Sequence, residues 1–313
     1  MDSPVDPFTS VIRVRKRDWL YAALGSVLLL PWRAVAIVAI LLLAWLLAKI
    51  GLVGQNPELQ TVVTGWRRHL LNVYSYLGLA ILWVAGFSVT LKGRQASRSE
   101  APILVGAPHS SFLEALVIIM CRCSPVSRSE NRDAILISEC QKFIRTIFVD
   151  RSSQASRKAA SQAIIDRSRH EDDGQLQVFI FPEGTNTNRK ALIQFKNGAF
   201  NPGTPVQPVL VRYPGYEDLD LITWTFRQDH SYLFSVWFLL VRPINRIEIE
   251  FLPVYNPSEE EKCDPSLFAK NVQAFMATQL NIIPTNLVFH KYYEEYCRKY
   301  RPGVTLAHAK KDQ

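Results

Sequence analysis

The sequence predicts an α/β domain that follows a group of membrane helices. From Ile103 onward, short apolar segments alternate with segments whose apolar residues keep helical spacing, which indicates helices layered against a sheet. Before that point the chain has three apolar stretches almost free of charge, which favour helices in contact with lipid. We therefore divide the 313 residues into a membrane-anchoring region at 1–95, an α/β domain at 96–285 and a C-terminal tail at 286–313.

The first two apolar stretches are residues 19–32 and 34–48, and neither reaches the roughly 20 residues that span a bilayer. Because Pro31 and Arg33 interrupt them, together they form either one long kinked span or a re-entrant helical pair. The third stretch, residues 70–91, either spans or lies half-sunk in the bilayer and leads into the α/β domain. The apolar region is too long for a cleavable signal peptide.

The α/β domain has a regular order of predicted elements. Leu113, Leu116, Val117 and Met120 have the spacing of a helix, and the acidic residues 171–173 are expected to stop a later one. Strands are predicted at 103–106, 134–138, 146–149, 177–181, 206–212 and 246–254, and further helices at 153–169 and 265–280.

The composition favours anionic partners, since the formal net charge is +8. Nucleic acid is not the expected partner, because the chain has no nucleic-acid motif, whereas a membrane surface and substrate phosphates are both negatively charged. Cys121, Cys123 and Cys140 lack the second pair or histidine set of a metal site. We therefore predict buried or reduced thiols and no metal.

His109 and Glu114 form the first candidate catalytic motif. Five residues apart on one helix they would point about 140° away from each other, so they can meet only if His109 lies in the turn before the helix and Glu114 in its first turn. There the carboxylate would fix one imidazole nitrogen and leave the other free as a general base. Alternatively, Ser111 and Glu114 form a capping box and Glu114 has only a structural role.

A second motif follows the strand predicted at 177–181, where the sequence continues Pro-Glu-Gly-Thr. Glu183, Gly184 and Thr185 lie in a turn, so the carboxylate and the backbone amides can point at polar atoms of a ligand. A turn that only ended the strand would use Gly184 but would not need Glu183.

Together the two motifs resemble the glycerolipid acyltransferase family, whose hallmarks are His-x-x-x-x-Asp and Phe-Pro-Glu-Gly-Thr. Residues 147–151 look like its second block and residues 206–209 like its fourth. Within the family, residues 187–189, 195–200 and 205–214 look most like lysophosphatidylcholine and lysophosphatidylethanolamine acyltransferases. The resemblance implies a mixed sheet flanked by helices, as in glycerolphosphate acyltransferases, and makes 96–285 the acyltransferase domain.

The resemblance also implies a reaction, in which an acyl group moves from acyl-CoA to the free hydroxyl of a lysophospholipid. Acyl-CoA is then a co-substrate, and no bound cofactor is expected. Arg151 is expected to hold the acceptor phosphate, with a surface salt bridge as the alternative. Lys196 and Arg189 can meet phosphates of coenzyme A or of the acceptor, although a solvated basic face is equally compatible with either.

Glu114 departs from the family, which usually has Asp at this position. We expect the longer carboxylate to serve, because charge and hydrogen-bonding capacity are unchanged. Two alternatives remain, a phospholipid transacylase that needs no coenzyme A and a membrane scaffold whose activity Glu114 has weakened.

Lys310 and Lys311 resemble the dilysine retrieval signal, so we expect the endoplasmic reticulum membrane, with a solvated basic tail as the alternative. The sequence does not indicate an oligomeric state.

Overall fold

A seven-stranded sheet forms the centre of the protein, with the strand order β2-β10-β8-β3-β6-β4-β5. The computed structural model describes residues 5–56, 62–169, 174–216 and 219–300. Four of the strands in this part of the chain belong to two small two-stranded sheets. The strands are β1 (Thr9–Ser10), β2 (Phe87–Lys92), β3 (Ile103–Ala107), β4 (Ser124–Arg128), β5 (Ile147–Val149), β6 (Val178–Ile180), β7 (Ala191–Leu192), β8 (Val206–Arg212), β9 (Arg227–Gln228), β10 (Asn245–Phe251) and β11 (Ile283–Pro284).

The central sheet is mixed, as predicted. Neighbouring strands are parallel except β10 and β8, which pair in antiparallel fashion. The five strands β8, β3, β6, β4 and β5 therefore run in one direction and end at the same edge. In open α/β sheets, ligands bind beyond the carboxyl ends of the strands, so this edge is where a functional site is expected.

Helices cover both faces of the sheet because its strands alternate apolar side chains between two cores. Leu104 and Phe179 pack in one core with α4 and α7, whereas Ile103 and Val178 pack in the other with α6 and α9. The helices are α1 (Lys16–Leu28), α2 (Leu30–Leu52), α3 (Trp66–Val84), α4 (Leu113–Met120), α5 (Ile137–Phe143), α6 (Gln154–Arg169), α7 (Tyr232–Val241), α8 (Glu259–Cys263), α9 (Pro265–Leu280) and α10 (Phe289–Tyr300).

The first two apolar stretches form two successive helices, α1 and α2, separated at Leu29. Arg33, which interrupts the apolar run, is buried and donates hydrogen bonds to the carbonyl oxygens of Leu240, Arg242 and Pro243 at 2.7, 2.6 and 3.1 Å. These carbonyls lie at the C-terminal end of α7, so Arg33 fastens the helical pair to the α/β domain. Among the described residues, Leu30–Leu52 is the one helix long and apolar enough to cross a membrane.

The third apolar stretch is not a single helix. It contributes most of α3 and then, after a turn at Gly86 with φ of +85°, the edge strand β2. Helix α3 packs through Leu71 and Tyr74 against Ala44 of α2 and Phe143 of α5. The stretch therefore leads from the helical pair into the sheet, and its position relative to a bilayer stays a prediction.

One predicted strand, at 134–138, is wrong. Ile135 is 88% exposed, Leu136 has a left-handed φ of +66°, and helix α5 begins at Ile137. The strand in this part of the sheet is instead β4, which the sequence analysis missed. It contains Pro125 among polar residues, a composition that normally argues against a central strand. The other predicted strands and helices of the domain are confirmed within two or three residues at each end.

The segment assigned to a C-terminal tail contains helix α10, which packs against the rest of the chain. Phe289 and Tyr293 share a small core with Phe8 and Ile193. The boundaries at residues 95 and 285 stay predictions. Lys310, Lys311 and the acidic residues 171–173 lie outside the described residues.

Cys121 and Cys123 are buried free thiols, as expected, and burial raises the pKa of Cys121 to about 12.

Candidate active site

The loops that follow the five parallel strands bring the motif residues to one edge of the sheet. His109 follows β3, Glu183 follows β6 and Arg151 follows β5. Two further residues lie at the same edge, namely Arg128 at the end of β4 and Tyr213 directly after β8. Neither was singled out from the sequence.

His109 and Glu114 meet as the spacing predicts. His109 lies in the turn after β3, Glu114 lies in the first turn of α4, and Nδ1 of the imidazole is 3.0 Å from Oε2 of the carboxylate. Glu114 is fully buried, whereas 27% of the His109 side chain is exposed. Since an ionised carboxylate only accepts hydrogen bonds, Nδ1 carries the proton and Nε2 has a free lone pair. Nε2 has no hydrogen-bond partner among the described residues.

The same carboxylate also organises the turn. Its Oε2 accepts a hydrogen bond from the Ser111 amide at 2.8 Å, and its Oε1 accepts from the Ser110 hydroxyl at 2.8 Å and the Tyr213 hydroxyl at 2.9 Å. The capping box of Ser111 and Glu114 is therefore incomplete, because the N-cap of α4 is Phe112 and has no side-chain cap hydrogen bond, but Glu114 both orients the imidazole and holds the Ser111 amide. Glutamate is long enough to contact the imidazole and the turn amides at once.

The imidazole ring of His109 is also fixed by stacking. The Phe181 ring lies 4.4 Å from it, centroid to centroid, at an interplanar angle of 21°. Gly106, in β3, makes room for this arrangement, because a Cβ atom there would lie 2.6 Å from the Phe181 ring and 2.4 Å from the Phe179 ring. The strand before His109 thus needs glycine at this position for a packing reason.

Glu183 points into the protein and holds the backbone of His109. Its Oε1 accepts a hydrogen bond from the His109 amide at 2.7 Å, and its Oε2 accepts from the Thr187 hydroxyl at 3.2 Å. The Thr187 amide in turn donates to the His109 carbonyl oxygen at 2.7 Å. Burial raises the pKa of Glu183 to about 8, although these hydrogen bonds oppose the shift. A direct ligand contact of Glu183, Gly184 or Thr185 stays a prediction.

Arg128, Arg151 and Lys196 form a group of positive charges at the site, here called the cationic cluster. Lys196 keeps exposed surface, but burial of its ammonium group and, less strongly, the charges of Arg151 and Arg128 together lower its pKa to about 8. Burial and then Arg128 lower the pKa of Arg151 to about 10, with Glu130 acting in the opposite direction. Neither Arg151 nor Lys196 has a carboxylate within 4.0 Å among the described residues.

Lys196 of the cationic cluster is directly adjacent to the second motif. A Cβ atom on Gly184, whose φ is +64°, would lie 2.5 Å from Nζ of Lys196, so the ammonium group rests on the turn. Arg128 was missed because its strand, β4, was not predicted, and without that strand nothing in the sequence places it at the carboxyl edge.

Arg189 does not join this cluster. Its guanidinium forms an ion pair with Asp220 at 2.9 Å, donates to the Thr223 hydroxyl at 2.9 Å and lies 5.5 Å from the centre of the Tyr213 ring. The expected binding role of Arg189 stays a prediction. In the structure Arg189 contacts Tyr213, whose hydroxyl donates a hydrogen bond to Glu114.

Comparison with known proteins agrees with this geometry. A family model described as acyltransferase matches residues 88–212, which include both motifs and the cationic cluster. The chain carries a domain of the acyltransferase family. The resemblance to glycerolipid acyltransferases found in the motifs is thereby confirmed.

Curated relatives extend the similarity over most of the chain. The chain is 42% identical to lysophosphatidylcholine acyltransferase 1 of Homo sapiens over 91% of its own length and 53% of the relative's. It is 42% identical to a lysophosphatidylcholine acyltransferase of Drosophila melanogaster, over 83% of the chain and 49% of the relative. The chain therefore spans about half the length of the curated relatives it matches.

A solved structure supports the fold. The crystal structure of the 1-acyl-sn-glycerophosphate acyltransferase PlsC from Thermotoga maritima matches 85% of this chain and 96% of that chain, with a TM-score of 0.54 and 16% sequence identity. The predicted fold class, a mixed sheet flanked by helices of the glycerolphosphate-acyltransferase type, is confirmed.

Proposed function

We propose that this protein transfers a fatty acyl group from acyl-CoA to the free hydroxyl of a lysophospholipid of the lysophosphatidylcholine or lysophosphatidylethanolamine type. The observation that carries the proposal is the pairing of buried Glu114 with His109, whose Nε2 is open, beside a cluster of cations. The names of the relatives, which are lysophosphatidylcholine acyltransferases, support the acceptor class.

In this mechanism His109 is the general base. Its Nε2 takes the proton of the acceptor hydroxyl while the hydroxyl oxygen attacks the thioester carbon of the donor. The resulting imidazolium donates through Nδ1 to the buried carboxylate of Glu114, which stabilises the positive charge. When the tetrahedral intermediate collapses, the C–S bond breaks and coenzyme A leaves as the thiolate, and the proton on Nε2 then passes to the thiolate or to solvent, which restores the neutral imidazole. No acyl-enzyme is needed, because the thiolate is a good leaving group.

The cationic cluster supplies the charge that a lysophospholipid phosphate requires. Arg151 offers a planar fork of donors and Lys196 a compact ammonium group. Lys196 lies against the turn that supports His109, and Arg151 is close enough to Lys196 to lower its pKa. We propose Arg151, Lys196 and the additional residue Arg128 as the acceptor phosphate site. Glu183 is proposed to act through the His109 backbone.

A bilayer is the proposed source of the acceptor. Helix α2 is long and apolar, and both α1 and α2 expose large apolar side chains, including Trp19, Leu24 and Val35 at 50%, 53% and 71%. The endoplasmic reticulum membrane is the compartment expected from the sequence. Imaging of the tagged protein against markers of that membrane tests it.

The decisive experiment separates three activities of the purified protein in lysophospholipid-containing micelles. Thiol release from acyl-CoA that depends on lysophosphatidylcholine or lysophosphatidylethanolamine supports the proposal. Acyl exchange between phospholipids without coenzyme A would instead favour a transacylase. Absence of both reactions would favour a scaffold and contradict the proposal.

A further inference from the structure

Tyr213 contacts the proposed dyad from a distant part of the sequence. Its hydroxyl donates to Oε1 of Glu114 at 2.9 Å, although the two residues are 99 positions apart. The side chain is 5% exposed, and burial together with the charge of Glu114 raises its pKa well above the ordinary tyrosine value. The phenol therefore remains a hydrogen-bond donor throughout the physiological pH range.

Glutamate needs such a contact more than aspartate does. Its additional torsion lets the carboxylate swing away from the imidazole, and ordering that torsion costs conformational entropy. Oε2 lies between His109 and the Ser111 amide, whereas Oε1 is held by the hydroxyls of Ser110 and Tyr213. Ser110 belongs to the same turn and moves with it. Tyr213 directly follows β8 and supplies the contact from outside the turn.

We propose that Tyr213 is a positioning residue, which holds the long carboxylate of Glu114 in the orientation that keeps Nδ1 of His109 protonated. This inference rests on the proposed function. Tyr213 touches neither substrate in the proposal and acts through Glu114.

Tyr213 is itself held by a contact on its ring. The Arg189 guanidinium lies over its ring, and Asp220 fixes that guanidinium through the 2.9 Å ion pair. Asp220 also accepts hydrogen bonds from the Thr223 hydroxyl and from the backbone amides of Ile222 and Thr223. A continuous set of contacts thus runs from Asp220 through Arg189 and Tyr213 to Glu114. It gives Arg189 a role other than phosphate binding.

The test is Tyr213→Phe, with Tyr255→Phe as a matched control. The Tyr255 hydroxyl also donates to a buried glutamate, Glu261, at 2.7 Å, but no histidine of the described part of the chain is paired with that carboxylate. We expect Tyr213→Phe to lower kcat about tenfold, as expected for losing one hydrogen bond to a charged group, and to leave both substrate KM values unchanged. The control should keep wild-type kcat. An unchanged kcat in Tyr213→Phe, or a change confined to KM, would overturn the positioning role.

A double-mutant cycle shows whether the effect passes through Glu114. In the Glu114→Asp background the shorter side chain withdraws from Tyr213, so Tyr213→Phe should cost less than about threefold there. Full additivity of the two changes would mean that Tyr213 acts independently of Glu114 and would contradict the proposal.

A second readout does not require acyl-CoA. Diethylpyrocarbonate modifies a free imidazole nitrogen, and mass spectrometry of peptides reports modification at His109 alone. Tyr213→Phe should slow modification of His109 several-fold relative to wild type and to Tyr255→Phe, since a looser carboxylate fixes the tautomer less well. Equal rates would refute the positioning role even if the donor proved not to be acyl-CoA. Failure of the proposed function appears separately, as absence of thiol release in the wild type.

Discussion

Replacing Glu114 by glutamine removes the negative charge beside His109 and keeps the shape of the side chain. The hydroxyls of Ser110 and Tyr213 face Oε1, and a hydroxyl can accept as well as donate. The amide NH2 group therefore fits on that side. The amide oxygen then faces the Ser111 amide and Nδ1 of His109, which keep their acceptor but lose its charge.

This arrangement sets the expected magnitudes. Hydrogen bonds to a charged group contribute about 1.5–3 kcal/mol and neutral ones about 0.5–1.5 kcal/mol, so the free energy of unfolding should fall by about 1–3 kcal/mol. The rate should fall much more, because a neutral amide does not stabilise the imidazolium formed when His109 takes the hydroxyl proton. We expect kcat for thiol release to drop by about 10²- to 10⁴-fold. Glu114→Asp should keep much of the activity.

Glu261→Gln is the matched control for stability. Glu261 is 4% exposed, belongs to a capping box with Ser258, and accepts hydrogen bonds from Tyr255 and Asn271 at 2.7 and 2.8 Å. Its substitution should lower the thermal midpoint without lowering kcat. If Glu114→Gln kept kcat within about threefold of wild type, the orienting role would be refuted and only the role of holding the turn would remain.

Two further predictions concern the cationic cluster and the second motif. Arg151→Lys should raise the acceptor KM about 10- to 100-fold, because an ammonium group cannot reproduce the bidentate fork. The control Arg246→Lys, at an exposed position of β10, should leave both KM values unchanged. An effect on the acyl-CoA KM alone would move Arg151 to the donor site. Since burial raises the pKa of Glu183 from 4.5 to about 8, its protonated form stabilises the fold at low pH, and this stability is lost as the pH rises towards 8. Glu183→Gln does not titrate, so its thermal midpoint should fall less than that of wild type between pH 5 and 8, and parallel curves would contradict the assignment.

The parts of the site that depend on local sequence could be predicted. His109 and Glu114 are five residues apart, so a turn followed by a helix is enough to bring them together. Apolar strands such as Ile103–Ala107 and Val206–Arg212 have clear boundaries, and both were found. Helix Pro265–Leu280 has its N-cap Asp264 and Pro265 at the first position, which mark its start in the sequence.

The parts of the site that depend on tertiary contacts could not be predicted from the sequence. Tyr213 reaches Glu114 only because β8 pairs with β3 in the sheet, and the sequence of neither strand alone predicts this pairing. Arg128 ends a strand whose proline and polar residues hide it, and the apolar run at 135–137 is exposed rather than buried. Nothing in the sequence indicated that Glu183 binds the His109 backbone or that Arg189 pairs with Asp220, and the ligand contacts expected of both residues stay predictions.

The central claim, that His109 is the base for acyl transfer to a lysophospholipid, is tested most directly by His109→Ala. The measurement is thiol release from acyl-CoA with and without lysophosphatidylcholine, alongside membrane association of the same protein. We expect wild-type release to depend on the acceptor and the variant to lose about 10²- to 10⁴-fold while still binding membranes. A variant with near-normal turnover would contradict the account.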